Sequence, residues 1–231
     1  MDNKIKTLKE RLSNNSRHKF QNHQTNAFLA LLKKRYENVL EVGCGKGYFS
    51  YVGALNGKFA NCSGSDVFQD YQLDEIGPLC ESVSYARMEA DRLPYADNSF
   101  DLVFSMDVIE HVDDDKEFLA ESLRVCKPGG LVIIGTPNYY RITNLFLKMI
   151  GKLHYPRKMG VDSYGDVIHL REYKKSELRD LLNHFHGRIE EGSLAISPCW
   201  FGVMQLNWGI DVLPAWLENL CHFWFVVFVK C

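Results

Sequence analysis

Short apolar runs alternate with helix-length segments through the first 138 positions of the chain. Residues 38–43 (NVLEVG) read as a buried strand and residues 48–55 as a helix. Residues 60–66 (ANCSGSD) and 82–88 (SVSYARM) are weaker strand patterns, and 101–106 (DLVFSM) and 131–136 (LVIIGT) are strong ones. Between the last two, Asp114 and Glu117 are spaced as a capping box, and the helix they open runs to about Val125. Lys127-Pro128-Gly129-Gly130 stops that helix and turns the chain into the next strand. Alternation at this spacing predicts a parallel sheet with right-handed helical crossovers. Ligands of such sheets bind beyond the carboxyl ends of the strands, where Asp107 and Thr136-Pro137-Asn138 fall.

Residues 1–37 read as helical and basic, with AFLALL (27–32) as an apolar face before Lys33-Lys34-Arg35. Such a segment covers a sheet edge or serves as a basic docking arm. Beyond residue 138 the pattern loosens. An apolar helix is expected over 141–150, a Gly- and Tyr-containing loop over 153–168, and an amphipathic helix over 174–185. Strands near 188–196 and 223–229 flank a Trp-rich insertion over 197–220.

The 231 residues are 46% hydrophobic, enough for one large α/β domain. A net charge of -2 gives no general attraction to nucleic acid or anionic membrane. The cysteines (44, 62, 80, 126, 199, 221, 231) are odd in number and form no C-x-x-C pair, which predicts reduced thiols and a cytoplasmic setting. The N-terminal stretch lacks a signal-peptide core, residues 223–229 are too short to span a membrane, and Cys231 is no prenylation box. A soluble protein is expected.

EVGCGKGYF (41–49) follows the first strand and opens a helix. Gly43, Gly45 and Gly47 let the backbone turn tightly and approach a ligand closely. A dinucleotide fingerprint needs glycine where Tyr48 stands, and the phosphate-cradling G-x-x-x-x-G-K-[ST] loop is absent. This disfavours a nicotinamide-dependent oxidoreductase. Asp66 ends the second strand, where a carboxylate can accept from both hydroxyls of a ribose. Asp91 follows the third strand, placed to accept from an adenine amine. In series these features describe a nucleoside site without a diphosphate.

Together LEVGCGKG, GSD, ADRLPYADNSFDLVFS and LRVCKPGGLVIIGTPN resemble the class I S-adenosylmethionine-dependent methyltransferases, densely over 38–138 and more loosely in HLREYKKSELRDLL (169–182). The resemblance implies a Rossmann-like α/β fold: a seven-stranded, mostly parallel sheet, helices on both faces, and a final antiparallel strand. It implies a single domain over 1–231, with an N-terminal helical segment (1–37), a cofactor-binding half (38–138) and a substrate-binding half (139–231) carrying insertions at 139–172 and 197–220. S-adenosylmethionine would lie with its methionine part against Glu41, Gly43, Cys44, Gly45 and Gly47. Its ribose would meet Asp66 and Val67, its adenine Asp91 and the Arg92 backbone, and its donor sulfur Met106 and Asp107.

FSMDVIEHV (104–112) ends a strand in three polar residues. On a helical turn, Asp107, Glu110 and His111 would converge. The trio resembles the E-x-x-E-H of ubiquinone-biosynthesis O-methyltransferases, and the metal-dependent enzymes that methylate terminal 2′-hydroxyls of small RNAs. The latter add a distant histidine, a place His169 could fill. Three readings stand. Asp107, Glu110, His111 and His169 hold Mg or another divalent ion; or His111 or His169, beside Asp107, is a metal-free base; or the trio is structural. Aspartate in place of the longer glutamate favours the base.

Ten acids against Arg92 and Lys116 over 89–117 disfavour an RNA acceptor. Tyr139, Tyr140, Tyr155, Tyr164, Trp200 and Trp208 are candidate walls for a small hydroxylated substrate that is aromatic, lipid-linked or a sugar. O-methylation is expected. N-methylation and a non-catalytic partner subunit built on the cofactor fold are the alternatives.

Overall fold

A computed structural model of the chain describes residues 16–45, 47–67, 82–162, 165–190 and 219–231. Helix α1 (Ser16–Leu31) precedes strand β1 (Tyr36–Val42), helix α2 (Tyr48–Leu55), β2 (Phe59–Asp66), β3 (Val83–Arg87) and β4 (Phe100–Met106). Helix α3 (Asp115–Val125), β5 (Cys126–Pro137), α4 (Ile142–Met149), β6 (Arg157–Asp162) and β7 (Gly165–His169) follow. Helix α5 (Lys175–Leu182), β8 (Gly187–Ile189) and β9 (Phe223–Lys230) complete the series.

Seven strands form one sheet in the order β3-β2-β1-β4-β5-β9-β8. The first five are mutually parallel, and β9 runs antiparallel to both neighbours. The order reverses between β1 and β4, so their carboxyl ends open the crevice that such a switch point creates. The expected fold is the one found.

Strand alternation decides which core each residue enters. Leu40, Val42, Val103, Val132 and Ile134 face α3 and α5, packing with Phe118, Leu119, Leu178 and Leu182. Their neighbours Val39, Leu102, Phe104 and Ile133 face α1 and α2, packing with Phe28, Leu32, Phe49 and Tyr51. The run FWFVVFV splits the same way: Trp224, Val226 and Phe228 enter the first core, and Phe223, Phe225 and Val227 the second. A strand apolar on both faces belongs inside a sheet covered on both sides.

Helix α3 begins as expected, with the Asp114 carboxylate accepting the amides of Lys116 and Glu117. At its end Arg124 bonds the carbonyls of Leu93 and Tyr95, and Glu121 accepts the Leu93 amide. These bonds anchor the segment that follows Asp91 and Arg92. Residues 127–130 do not precede the strand but belong to β5, with a register shift opposite Phe100 and Leu102.

Two further expectations are corrected. Residues 153–168 are not a loop: β6 and β7 pair antiparallel as a separate two-stranded sheet. A register shift between Lys158 and Gly160 breaks the alternation that would have announced them. Residues 107–111 form turns rather than a helical turn. The strand expected over 188–196 is β8 as far as Ile189, and Tyr164, Trp200, Trp208 and most of the 197–220 insertion lie outside the described residues.

Candidate active site

The glycine turn connects β1 to α2, and each glycine is required for a different reason. Gly43, Gly45 and Gly47 all have positive φ, at 70°, 48° and 69°. A Cβ on Gly43 would collide with Val108, and one on Gly47 with Tyr85. A Cβ on Gly45 would meet no heavy atom within 4 Å. Gly45 therefore borders open space, and its amide donates to Asp66 Oδ2 at 2.8 Å, tying the end of β2 to the turn. Glu41, buried, accepts from the amide (3.0 Å) and hydroxyl of Ser50 in the first turn of α2. Burial pushes its carboxyl up to about 8, despite the Ser50 bonds. Glu41 thus pins the helix start to the strand. Cys44 is buried, Val67 half-buried, and Asp91 and Arg92 exposed. Open space over Gly45 is thus edged by Asp66.

Beyond β4 the buried Met106 lies against Gly135. Asp107 follows with φ 56°, a left-handed conformation aspartate tolerates better than most residues. Its amide donates to the Gly135 carbonyl at 3.0 Å, and its carboxylate accepts from Gln24 of α1 at 3.5 Å. Asp107 is exposed, and the protein packed around it still desolvates its carboxyl, which is pushed up to about 6 against the pull of His169, Gln24 and Arg141.

Glu110, His111 and His169 each present a ligand atom within 4.8 Å of the others. The two imidazoles meet edge to face, centroids 4.9 Å apart. His111 Nδ1 lies 2.7 Å from the Ile168 carbonyl, which can only accept, so Nδ1 carries the proton. Its Nε2, 4.0 Å from Glu110 Oε1, is left with a lone pair. Burial lowers the His111 pKa, as does His169. Glu110 is fully buried. Its Oε2 accepts from Thr136 at 2.9 Å, while Oε1 has no hydrogen-bond partner among the described residues. Burial and the nearby Asp107 raise its carboxyl well above the usual range.

His169 ends β7 and is reached through a buried polar network. Its Nδ1 lies 2.8 Å from Glu172 Oε1. The same oxygen accepts from Arg141 (2.5 Å) and Arg157 (3.0 Å), and Oε2 accepts from Asn144 (2.6 Å). Burial alone would raise the Glu172 carboxyl, but His169 and the two guanidiniums hold it below its ordinary value. Tyr139 lies 5.2 Å from Tyr140 and 6.3 Å from Tyr155, ring to ring, and the Tyr155 hydroxyl lies 3.4 Å from Asn144. Three of the expected aromatic walls therefore gather beside this network.

Sequence reasoning joined Asp107 to Glu110, His111 and His169 as one ligand set. The geometry keeps the last three together and leaves Asp107 outside that cluster, because its left-handed backbone replaces the helical turn. The donors suit a divalent ion: two imidazoles, one already oriented through Nδ1 by a carbonyl and the other by a carboxylate, and a buried carboxylate oxygen without a hydrogen-bond partner among the described residues. Missed altogether were Glu172, Arg141, Asn144 and Arg157, while Thr136 was noted only as a strand end. None of these has a local signature, because their partners lie far along the chain.

Residues 40–134 match the family described as Methyltransferase domain. The match and the seven-stranded fold together support a class I S-adenosylmethionine-dependent methyltransferase. It is 34% identical over 195 residues to the chloroplastic tocopherol O-methyltransferase of Arabidopsis thaliana, covering 76% of this chain and 52% of that one. It is 34% identical over 107 residues to the ubiquinone biosynthesis O-methyltransferase of Rhizobium leguminosarum, covering 43% of this chain and 40% of that one. The chain thus spans about half the length or less of these curated relatives. Among solved structures, an S-adenosylmethionine-dependent methyltransferase of Mesorhizobium loti superposes with a TM-score of 0.63 at 17% identity, covering 94% of this chain and 99% of that one. No helix among the described residues is long and apolar enough to cross a membrane.

Proposed function

We propose that this chain transfers a methyl group from S-adenosylmethionine to a hydroxyl of a small molecule. The observation that carries the reading is the convergence of Glu110, His111 and His169 at the carboxyl end of β4, on the same sheet edge as the glycine turn. Bound S-adenosylmethionine supplies an electrophilic methyl on a sulfonium leaving group. Gly43, Gly45 and Gly47 leave room for its methionine part, with Cys44 inside the turn and Glu41 fixing the turn's shape from beneath. Asp66 and Val67 hold the ribose, Asp91 and the Arg92 backbone read the adenine, and Met106 and Asp107 border the reacting sulfur.

What the chain must add is alignment and a proton acceptor. His169 Nε2 takes the hydroxyl proton while Glu172 steadies the imidazolium through Nδ1, the arrangement by which a carboxylate supports a catalytic histidine. His111, neutral because burial lowers its pKa, keeps that imidazolium from facing a second positive charge. Were Mg or another divalent ion present, Glu110, His111 and His169 would hold it, and it would lower the pKa of the acceptor hydroxyl. The aromatic cluster of Tyr139, Tyr140 and Tyr155 favours a ring-bearing or lipid-linked acceptor over a sugar or nucleic acid. The printed activities of the tocopherol and ubiquinone-pathway relatives support oxygen as the acceptor atom.

The test is mass spectrometry of phenols and hydroquinones incubated with the protein and methyl-labelled S-adenosylmethionine. Label on an oxygen is expected, and its loss in the His111→Gln, His169→Gln double variant. Full activity of that variant defeats the base and the ion together. Label on nitrogen substrates alone would correct the acceptor.

A further inference from the structure

The loop between β7 and α5 carries a carboxylate that four side chains share. The side chain of Glu172 is completely buried. Fully buried carboxylates are costly unless every lone pair is used. Here Arg141 and Arg157 donate to Oε1 and satisfy the charge, Asn144 donates to Oε2, and His169 Nδ1 meets Oε1 beside the two guanidiniums. Asn144 is itself fixed, its Oδ1 accepting from both arginines at 3.3 Å and 3.0 Å. The network thus joins the start of α4, the first residue of β6 and the last of β7 to one side chain.

We infer that Glu172 is the positioning residue of the reaction centre: it holds His169 in the tautomer protonated at Nδ1, leaving Nε2 as the nitrogen available to substrate. The inference rests on the methyl-transfer reading of the Glu110–His111–His169 cluster. An ionised carboxylate can only accept, so the nitrogen it touches must carry hydrogen. Neutral imidazole has one N–H, so Nε2 is then bare. Because the carboxylate is also the anchor of Arg157, the seating of the β6–β7 hairpin and the tautomer of His169 are set by the same group. A glutamine at this position offers one acceptor oxygen to four donors. Its amide can also turn its hydrogens toward Nδ1, which moves the ring proton to Nε2 and blocks the base.

The experiment is long-range nitrogen–proton NMR on the full chain labelled with nitrogen-15, His169 being assigned from the His169→Gln spectrum. In the native protein at neutral pH, His169 is expected as the Nδ1–H tautomer. In Glu172→Gln it shifts toward Nε2–H, and kcat falls about tenfold to a hundredfold, the usual loss for a group that orients a functional histidine. The KM for S-adenosylmethionine stays within about twofold, since the cofactor cradle is untouched. Predominant Nε2–H in the native protein overturns the inference, and that measurement needs no variant to fold. An unchanged tautomer with unchanged kcat in folded Glu172→Gln overturns it as well. Failure of the methyl-transfer reading has its own signature, normal turnover by His169→Gln, which removes the role assigned to Glu172 whatever the tautomer.

Discussion

Asp66 Oδ2 accepts the Gly45 amide at 2.8 Å, so the acid that ends β2 is locked to the turn after β1 before any ligand arrives. The carboxylate is therefore pre-set at the edge of the open space over Gly45 rather than swinging in from solvent. Asp66→Ala is expected to weaken S-adenosylhomocysteine binding by about tenfold to a hundredfold, the value of a charge-assisted hydrogen bond. Asp66→Asn should recover part of the loss. An unchanged dissociation constant in Asp66→Ala would assign the residue to loop structure alone.

Gly43 and Gly45 separate folding from binding. Both have positive φ, so an alanine costs about 1–2 kcal/mol of strain at either place. Gly43→Ala also drives a methyl into Val108 and should lower the melting temperature further. Gly45→Ala meets open space and should melt only slightly below the parent, yet lose most cofactor affinity. Equal binding losses at equal stability cost would mean that the space over Gly45 is not the cradle.

How much of this was legible beforehand varied with the range of the interactions involved. Strands β1, β4 and β5 and helix α2 were readable because buried strands are apolar on both faces and the glycine turn punctuates them; β2 and β3 were weaker patterns placed by spacing. The β6–β7 hairpin was not, because its residues are largely exposed and a register shift at Gly160 breaks its period. His111 and His169 were singled out separately, one by its strand end and one by resemblance. Their partner Glu172 has no local signature: what makes it a buried charge is Arg141 and Arg157, 31 and 15 residues away. Asp107 misled for the opposite reason, since its spacing to Glu110 suits a helix that its left-handed backbone does not form.

His222 gives the fold a pH dependence of known sign. It is buried, and burial, with Arg141 adding repulsion against the opposing pull of Glu172, lowers its pKa to about 3. In the unfolded chain it titrates near an ordinary value of about 6.5. Between those values the unfolded state binds a proton that the native state refuses, so stability is lost as pH falls from about 6.5 toward about 3. The slope is at most about 1.4 kcal/mol per pH unit. The raised carboxyls of Glu41, Asp107 and Glu110 act in the opposite direction, so the informative quantity is a difference. Urea unfolding of the parent and of His222→Phe at pH 7 and pH 5 should show the smaller acid loss in the variant. Identical losses would remove His222 as the cause.

His111 must stay neutral beside the base His169, and burial lowers its pKa. Any acid limb of kcat set by His111 itself should therefore lie under pH 6.5. An acid limb above that value would mean that another group governs it. Incubation with a chelator distinguishes the ion: loss of activity restored by Mg or Mn assigns Glu110, His111 and His169 to a metal, and unchanged activity assigns them to proton transfer.

The most direct test of the central claim is calorimetric titration of the protein with S-adenosylhomocysteine, NAD and ATP under the same conditions. The glycine turn, Asp66 and Asp91 predict saturable binding of S-adenosylhomocysteine, lost in Gly45→Ala, and none of NAD or ATP, both of which carry linked phosphates. Preferential binding of NAD, undisturbed by Gly45→Ala, would contradict the account.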